Sequence, residues 1–160
     1  MEYQQGKPEE LRETFWKALE SSPIVLLQLD DDAASAAPMV VQLDAHAHHT
    51  VWFLTSKNSR FAAVGPATAT FASKGHDVFA RITGVLTTET DRTRLDDLWN
   101  PAVAAWFPGG KDDPNLLLLR MNLGDAAIWS GKVGALDYVR MALGLNVTDQ
   151  VKGSYTETAL

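Results

Sequence analysis

Thr55, Ser56, Lys57, Ser59 and Arg60 follow directly on the β-prone run Val51-Trp52-Phe53-Leu54, so hydroxyls and two cations gather where a strand ends and the chain turns. That set suits a phosphate. A phosphomonoester has a second pKa of about 6, carries roughly two negative charges at neutral pH and offers three terminal oxygens to charge-assisted hydrogen bonds. Read locally, the same residues are also ordinary turn chemistry with a solvated Lys57 and Arg60.

Other clusters point less far. His46 and His48 share one face of an extended segment and His49 adjoins them, but two imidazoles without a third ligand make a poor metal site. With Asp44 and Thr50 beside them, they read as a polar hairpin tip. Asp30-Asp31-Asp32 lacks the spaced oxygen ligands and turn glycine of a calcium loop and reads as a solvated turn. "GKDDP" at 110–114 has no upstream glycine pattern and no following Ser or Thr, so a Walker-type site is not expected. No carboxylate pair and no Ser/His/Asp arrangement singles out a catalytic residue. No metal site is expected either.

The elements that must position these groups are short and numerous. A chain of 160 residues, 46% hydrophobic and 21% charged, fits one domain with one core. Its net charge of −6 argues against a nucleic-acid or anionic-membrane surface, against which Lys57 and Arg60 stand out. The absence of cysteine excludes disulfides, thiolate nucleophiles and cysteine-bound metals. The start, "MEYQQGKPEELRETFWKALESS", is acidic and amphipathic rather than basic and apolar, and no later run approaches a membrane span. A cytoplasmic protein is the expectation.

Leu11, Phe15, Ala18 and Leu19 recur at helical spacing from Pro8 to Glu20. Strands are expected over Ile24–Leu29, Pro38–Leu43 and Val51–Leu54, a short helix over Asn58–Val64, then strands over Ala67–Ser73 and Val78–Thr88. Gly84 hints at a bulge in the last of these. A second helix opens at Thr90–Arg94 and is interrupted by Pro101. Asn115–Asn122 and Asp125–Ser130 read as two further strands, and Leu136–Leu143 as a helix. Residues 146–160 read as a loose polar tail after a single domain over 1–145. Many short strands with regular turn signals suggest a closed antiparallel barrel carrying a few helices.

Several segments jointly resemble the pyridoxamine phosphate oxidase-like FMN-binding split barrels, in the general stress protein 26 branch. They are "APMVVQ" at 37–42, "VWFLTSKNSR" at 51–60, and "DRTRLDDLWNPAVAAWFPGGKDDPNLLLLRMNLGDAAIW" at 91–129. The resemblance implies a mainly β fold with flanking helices, a six-stranded antiparallel Greek-key split barrel, forming a homodimer with FMN in two clefts at the subunit interface. It assigns the FMN phosphate to Thr55, Ser56, Lys57, Ser59 and Arg60, the last standing where many relatives carry lysine. It lays the isoalloxazine ring along Pro38, Met39, Val40 and Val41, where alternation lets only one side-chain set face the ring. Trp106, Phe107 and Trp129 are candidates for contacts from the partner subunit, against the alternative of core packing.

Two functions stay open at this point. One is a flavin-dependent oxidoreductase of unassigned substrate; the other is a non-catalytic flavin-binding stress or sensor protein. Pyridoxamine phosphate oxidases end in an arginine-rich segment, whereas Arg140 is the only arginine after Arg120 here. That activity itself is therefore not expected.

Overall fold

The computed structural model describes residues 2–131, 135–146 and 152–160. Among these, eight strands carry the architecture: β1 (Glu2–Gln5), β2 (Ile24–Leu29), β3 (Asp32–Val40), β4 (Thr50–Ser56), β5 (Gly65–Ala72), β6 (Val78–Thr88), β7 (Leu116–Gly131) and β8 (Lys152–Ala159). Four α-helices accompany them: α1 (Pro8–Ser21), α2 (Arg92–Leu98), α3 (Pro101–Ala104) and α4 (Ala135–Ala142).

Pro8 opens α1, where a missing N–H costs nothing, and Glu9 and Glu10 complement the positive helix end. Leu11, Phe15 and Leu19, one turn apart, bury their side chains against the sheet. Phe15 meets Phe71 of β5 edge-on, ring centres 5.8 Å apart. The principal core lies between α1 and one face of the sheet and includes Val25, Leu27, Val51, Phe53, Ile82, Leu119, Met121 and Ile128.

The sheet runs β1-β8-β7-β6-β5-β2-β3, with β4 added on β7. All pairings are antiparallel except β1 with β8. The sixteen-residue β7 makes this possible: its first half pairs with β4 and its second half with β8. The unpaired edges of β3 and β4 meet at a single bridge, Gln42 to Trp52, with N–O distances of 2.8 and 3.1 Å. The result is an open sheet of eight strands, which corrects the expectation of a closed, six-stranded, wholly antiparallel barrel.

Other boundaries also differ from expectation. β3 begins at Asp32 rather than Pro38 and ends at Val40. The two strands expected over Asn115–Ser130 are one, because Gly124 marks a close approach and not a turn: a Cβ there would lie 3.3 Å from the Thr83 carbonyl oxygen. Gly84 has the same cause in sharper form, a Cβ reaching 2.4 Å from the Asn122 carbonyl oxygen beside the register shift between Ile82 and Gly84. The expected loose tail supplies β8 over Lys152–Ala159, clamped between β7 and β1; residues 147–151 of that tail lie outside the described residues.

α2 covers the outer side of β4. Trp52, Leu95, Leu98 and Leu118 form a second buried cluster there, so β4 is buried on both faces from Thr50 to Phe53. A strand fixed this firmly presents its C-terminal end in a defined place.

Candidate functional site

Thr55 and Ser56 are the last residues of β4 and are half-buried. The chain beyond them is held by its own backbone: the Lys57 N–H donates to the Asn115 carbonyl (2.8 Å) and the Ser59 N–H to the Ser56 carbonyl (2.9 Å). Ser59 Oγ accepts from the Phe61 N–H at 3.2 Å and caps a single 3₁₀ turn over Arg60–Ala63. The turn is anchored by Phe61, 3% exposed in the core. These bonds leave the side chains of Thr55, Ser56, Lys57 and Arg60 available around one short loop. Lys57 is exposed and, among the described residues, makes no ion pair. Arg60 Nη1 lies 3.5 Å from Asp32, a residue expected to be merely solvated.

β3 comes near this loop at Asp32 and does not pair with β4, and the unpaired gap between the two strands forms a slot. Continuing the register of the Gln42–Trp52 bridge sets Val40 opposite Leu54 and Pro38 opposite Ser56, yet the strands do not pair there. Each edge therefore keeps unpaired backbone groups toward the other, groups that must find a partner if the slot is closed to water. Alternation is now fixed: Met39 packs on the core and Val41 is 4% exposed, whereas Pro38 and Val40 point outward.

The outward face is rich in uncovered apolar groups. Val40 pairs with Ile24 and Pro38 with Leu26; Phe79 pairs with Trp129, and Trp129 with Tyr155. Val40, Ile24 and Leu26 are each about half exposed, at 49, 53 and 49%. Trp129 is half-buried with its ring centre 5.3 Å from that of Tyr155. Trp129 is not brought to the slot of its own chain: β4 covers Leu116–Asn122 of β7, and Trp129 lies seven residues further on, about 23 Å along the strand.

Trp106 follows α3 and is 81% exposed, which excludes it from the core of its own chain. Phe107 beside it turns inward, 6.3 Å from the Trp99 ring. The following loop is tied to α2 by Arg92–Asp112 (2.7 Å) and Lys111–Asp96 (2.9 Å), so the indole stands on a fixed support.

A further group, not legible from local sequence, braces the slot from behind. The Arg94 guanidinium stacks 4.3 Å from the Trp52 ring and pairs with Asp44; Trp52 Nε1 donates to Glu89 at 3.2 Å. Asp44 also accepts the His46 N–H at 2.8 Å. That backbone bond first, and Arg94 second, hold the Asp44 carboxyl below its usual range. A depressed carboxyl stabilises the fold above its ordinary pKa of about 3.9, and the contribution is lost as pH falls through the folded value. Thermal melts between pH 5 and 3 should accordingly show a shallower acid loss in Asp44→Asn than in the wild type. Equal slopes would exclude this role. Among the described residues, no three His, Asp or Glu side chains form a metal-binding group, and no helix is long and apolar enough to cross a membrane.

Residues 10–152 match the family model described as pyridoxamine 5′-phosphate oxidase like. The general stress FMN/FAD binding protein of Xanthomonas citri is 44% identical, with 79% of this chain and 92% of that chain covered and a TM-score of 0.73. A general stress family protein of Xanthomonas campestris pv. campestris is 43% identical over 81% of this chain and 93% of that one, TM-score 0.73. A general stress protein 26 of Jannaschia sp. CCS1 is 26% identical over 96% and 100% of the two chains, TM-score 0.78. No curated protein matches. With the match spanning most of its length and similar folds in general stress proteins, the chain belongs to the pyridoxamine 5′-phosphate oxidase-like family.

Proposed function

We propose that the protein binds FMN and serves as a flavin-dependent oxidoreductase of the general stress type. The observation that carries this reading is the slot between β3 and β4, which ends in a loop whose Lys57 makes no ion pair among the described residues. The residues present fit the cofactor. Thr55, Ser56, Lys57, Ser59 and Arg60 hold the phosphate, and the free backbone of Pro38–Val40 meets the polar edge of the ring, with Pro38 and Val40 facing outward and Met39 and Val41 supporting from the core. In this reading the open eight-stranded sheet is a split barrel.

The site is completed in a homodimer. Trp106 is 81% exposed, Trp129 lies beyond the stretch of β7 that β4 covers, and the outward apolar residues give a second copy a surface to rest on. Trp106 and Trp129 are then the partner-facing aromatics, with Phe107 packed inward on Trp99 beside them. Bound FMN supplies one- and two-electron redox chemistry. The protein's part is to orient it, exclude water and place backbone dipoles and cations near developing negative charge.

The absorption spectrum of the purified protein after FMN addition and desalting tests the reading, with retained flavin bands as the expected result. A protein that retains no flavin and leaves FMN fluorescence unchanged does not bind it. Anaerobic addition of NADH or NADPH then separates the oxidoreductase, whose flavin bleaches, from a non-catalytic flavin-binding sensor, whose flavin does not.

A further inference from the structure

The loop proposed to hold a phosphate has an acidic neighbour that no anion site would be expected to keep. Asp32 opens β3, and both its carboxylate oxygens lie 3.5 Å from Arg60 Nη1. Its place is fixed. The Asp32 carbonyl accepts from Ser35 Oγ at 2.6 Å, and Ser35 Oγ accepts the Leu29 N–H at 2.8 Å, with Ser35 only 4% exposed. The other end of the same turn is tied to β5: Asp30 accepts from Thr68 Oγ1 at 2.8 Å, and the Asp30 N–H donates to the Pro66 carbonyl at 2.9 Å. Arg60 is equally bound at its backbone, between the Ser59 cap and buried Phe61. Both backbones are tied, so the exchange of this pair rests on the side-chain rotamers of Arg60 and Asp32.

Resting on the FMN reading above, we propose that Asp32 is a specificity-determining residue of the phosphate loop. It holds Arg60 as an internal counter-ion in the empty protein and competes with the incoming phosphate for that guanidinium. Lys57 and Arg60 bring two positive charges, and Asp30, Asp31 and Asp32 bring three negative ones, so the loop and its neighbouring turn sum to −1. An anion arriving there is not drawn by a strong positive field and must recruit Arg60 from Asp32. The pair is weak enough to be exchanged: the contact is long, and the two side chains are 59 and 41% exposed. A built-in competitor of this kind lowers affinity selectively for ligands carrying a phosphate and leaves the ring contacts untouched. Its effect is a modest loosening of the flavin, which a loop without Asp32 would hold more firmly.

Titrations of FMN and of riboflavin into the wild type, Asp32→Asn and Arg60→Ala test this. Asparagine keeps the backbone carbonyl that Ser35 binds, so the hairpin is retained and the melting temperature should not move. Asp32→Asn should tighten FMN by about two- to fivefold, the range of a released surface ion pair. Riboflavin affinity should not change. Unchanged or weaker FMN binding in Asp32→Asn, with Arg60→Ala still selective against FMN, overturns the competitor and leaves the phosphate loop standing. If Arg60→Ala weakens FMN and riboflavin alike, the phosphate loop itself falls, and the competitor with it.

Discussion

Lys57→Ala/Arg60→Ala is expected to bind FMN at least about 100-fold more weakly than the wild type while keeping its affinity for riboflavin. Each hydrogen bond from a charged group contributes about 1.5–3 kcal/mol, so loss of two costs at least about 3 kcal/mol, and each 1.4 kcal/mol is a factor of ten. The scaffold of the loop should survive, because its bonds run through the Lys57 N–H, the Ser59 N–H and Ser59 Oγ and not through the deleted side chains. With both cations gone, Asp32 remains and repels the phosphate. Riboflavin shares the ring and the ribityl chain but has no phosphate, so it is the internal control. Fluorescence titration of both ligands decides the matter: a parallel loss for the two would remove the phosphate from this loop.

Trp106→Ala should raise the dimer dissociation constant by about 30-fold or more and lower FMN affinity with it. Buried tryptophans at interface centres commonly cost about 2–4 kcal/mol on truncation. In the isolated chain this indole is 81% exposed, so its removal leaves the core intact, and any large effect must come from contact with another molecule. A ligand that touches both subunits binds the dimer better than the monomer and stabilises it by mass action. Sedimentation across a dilution series, with and without FMN, reads both quantities. A wild type that stays monomeric at high concentration yet binds FMN tightly would end the shared-cleft reading.

What the sequence revealed depended on how local the signal was. α1 was legible because Leu11, Phe15 and Leu19 repeat at one turn and Pro8 and Pro23 bracket them. The end of β4 was legible because a β-prone run gives way abruptly to hydroxyls and cations. β8 was missed because "KGSYTETA" buries chiefly Gly153 and Thr156, small and polar side chains that leave no hydrophobic alternation. Gly124-Asp125 was misread because glycine serves both turns and close backbone approach, and only the neighbouring Thr83 carbonyl distinguishes them. The orientation of Pro38 and Val40 needed the register with Leu26 and Ile24, a property of the pair and not of either strand. Asp32 and Asp44 looked like turn residues, since their partners Arg60 and Arg94 lie 28 and 50 residues away.

The length of β7 bears on how the molecule comes apart. Its first half is held by β4 and, through β4, by α2; its second half is held by β8 and β1; β6 alone runs beside both. Two sets of amides on one strand thus depend on different neighbours. In exchange with deuterated solvent, Asp125–Gly131 can open with the departure of β8 while Leu116–Asn122 stays protected, and the reverse holds for loss of β4. The strand is then a seam between two separately melting units, and a molecule seated beside β4 slows exchange on one side of that seam first.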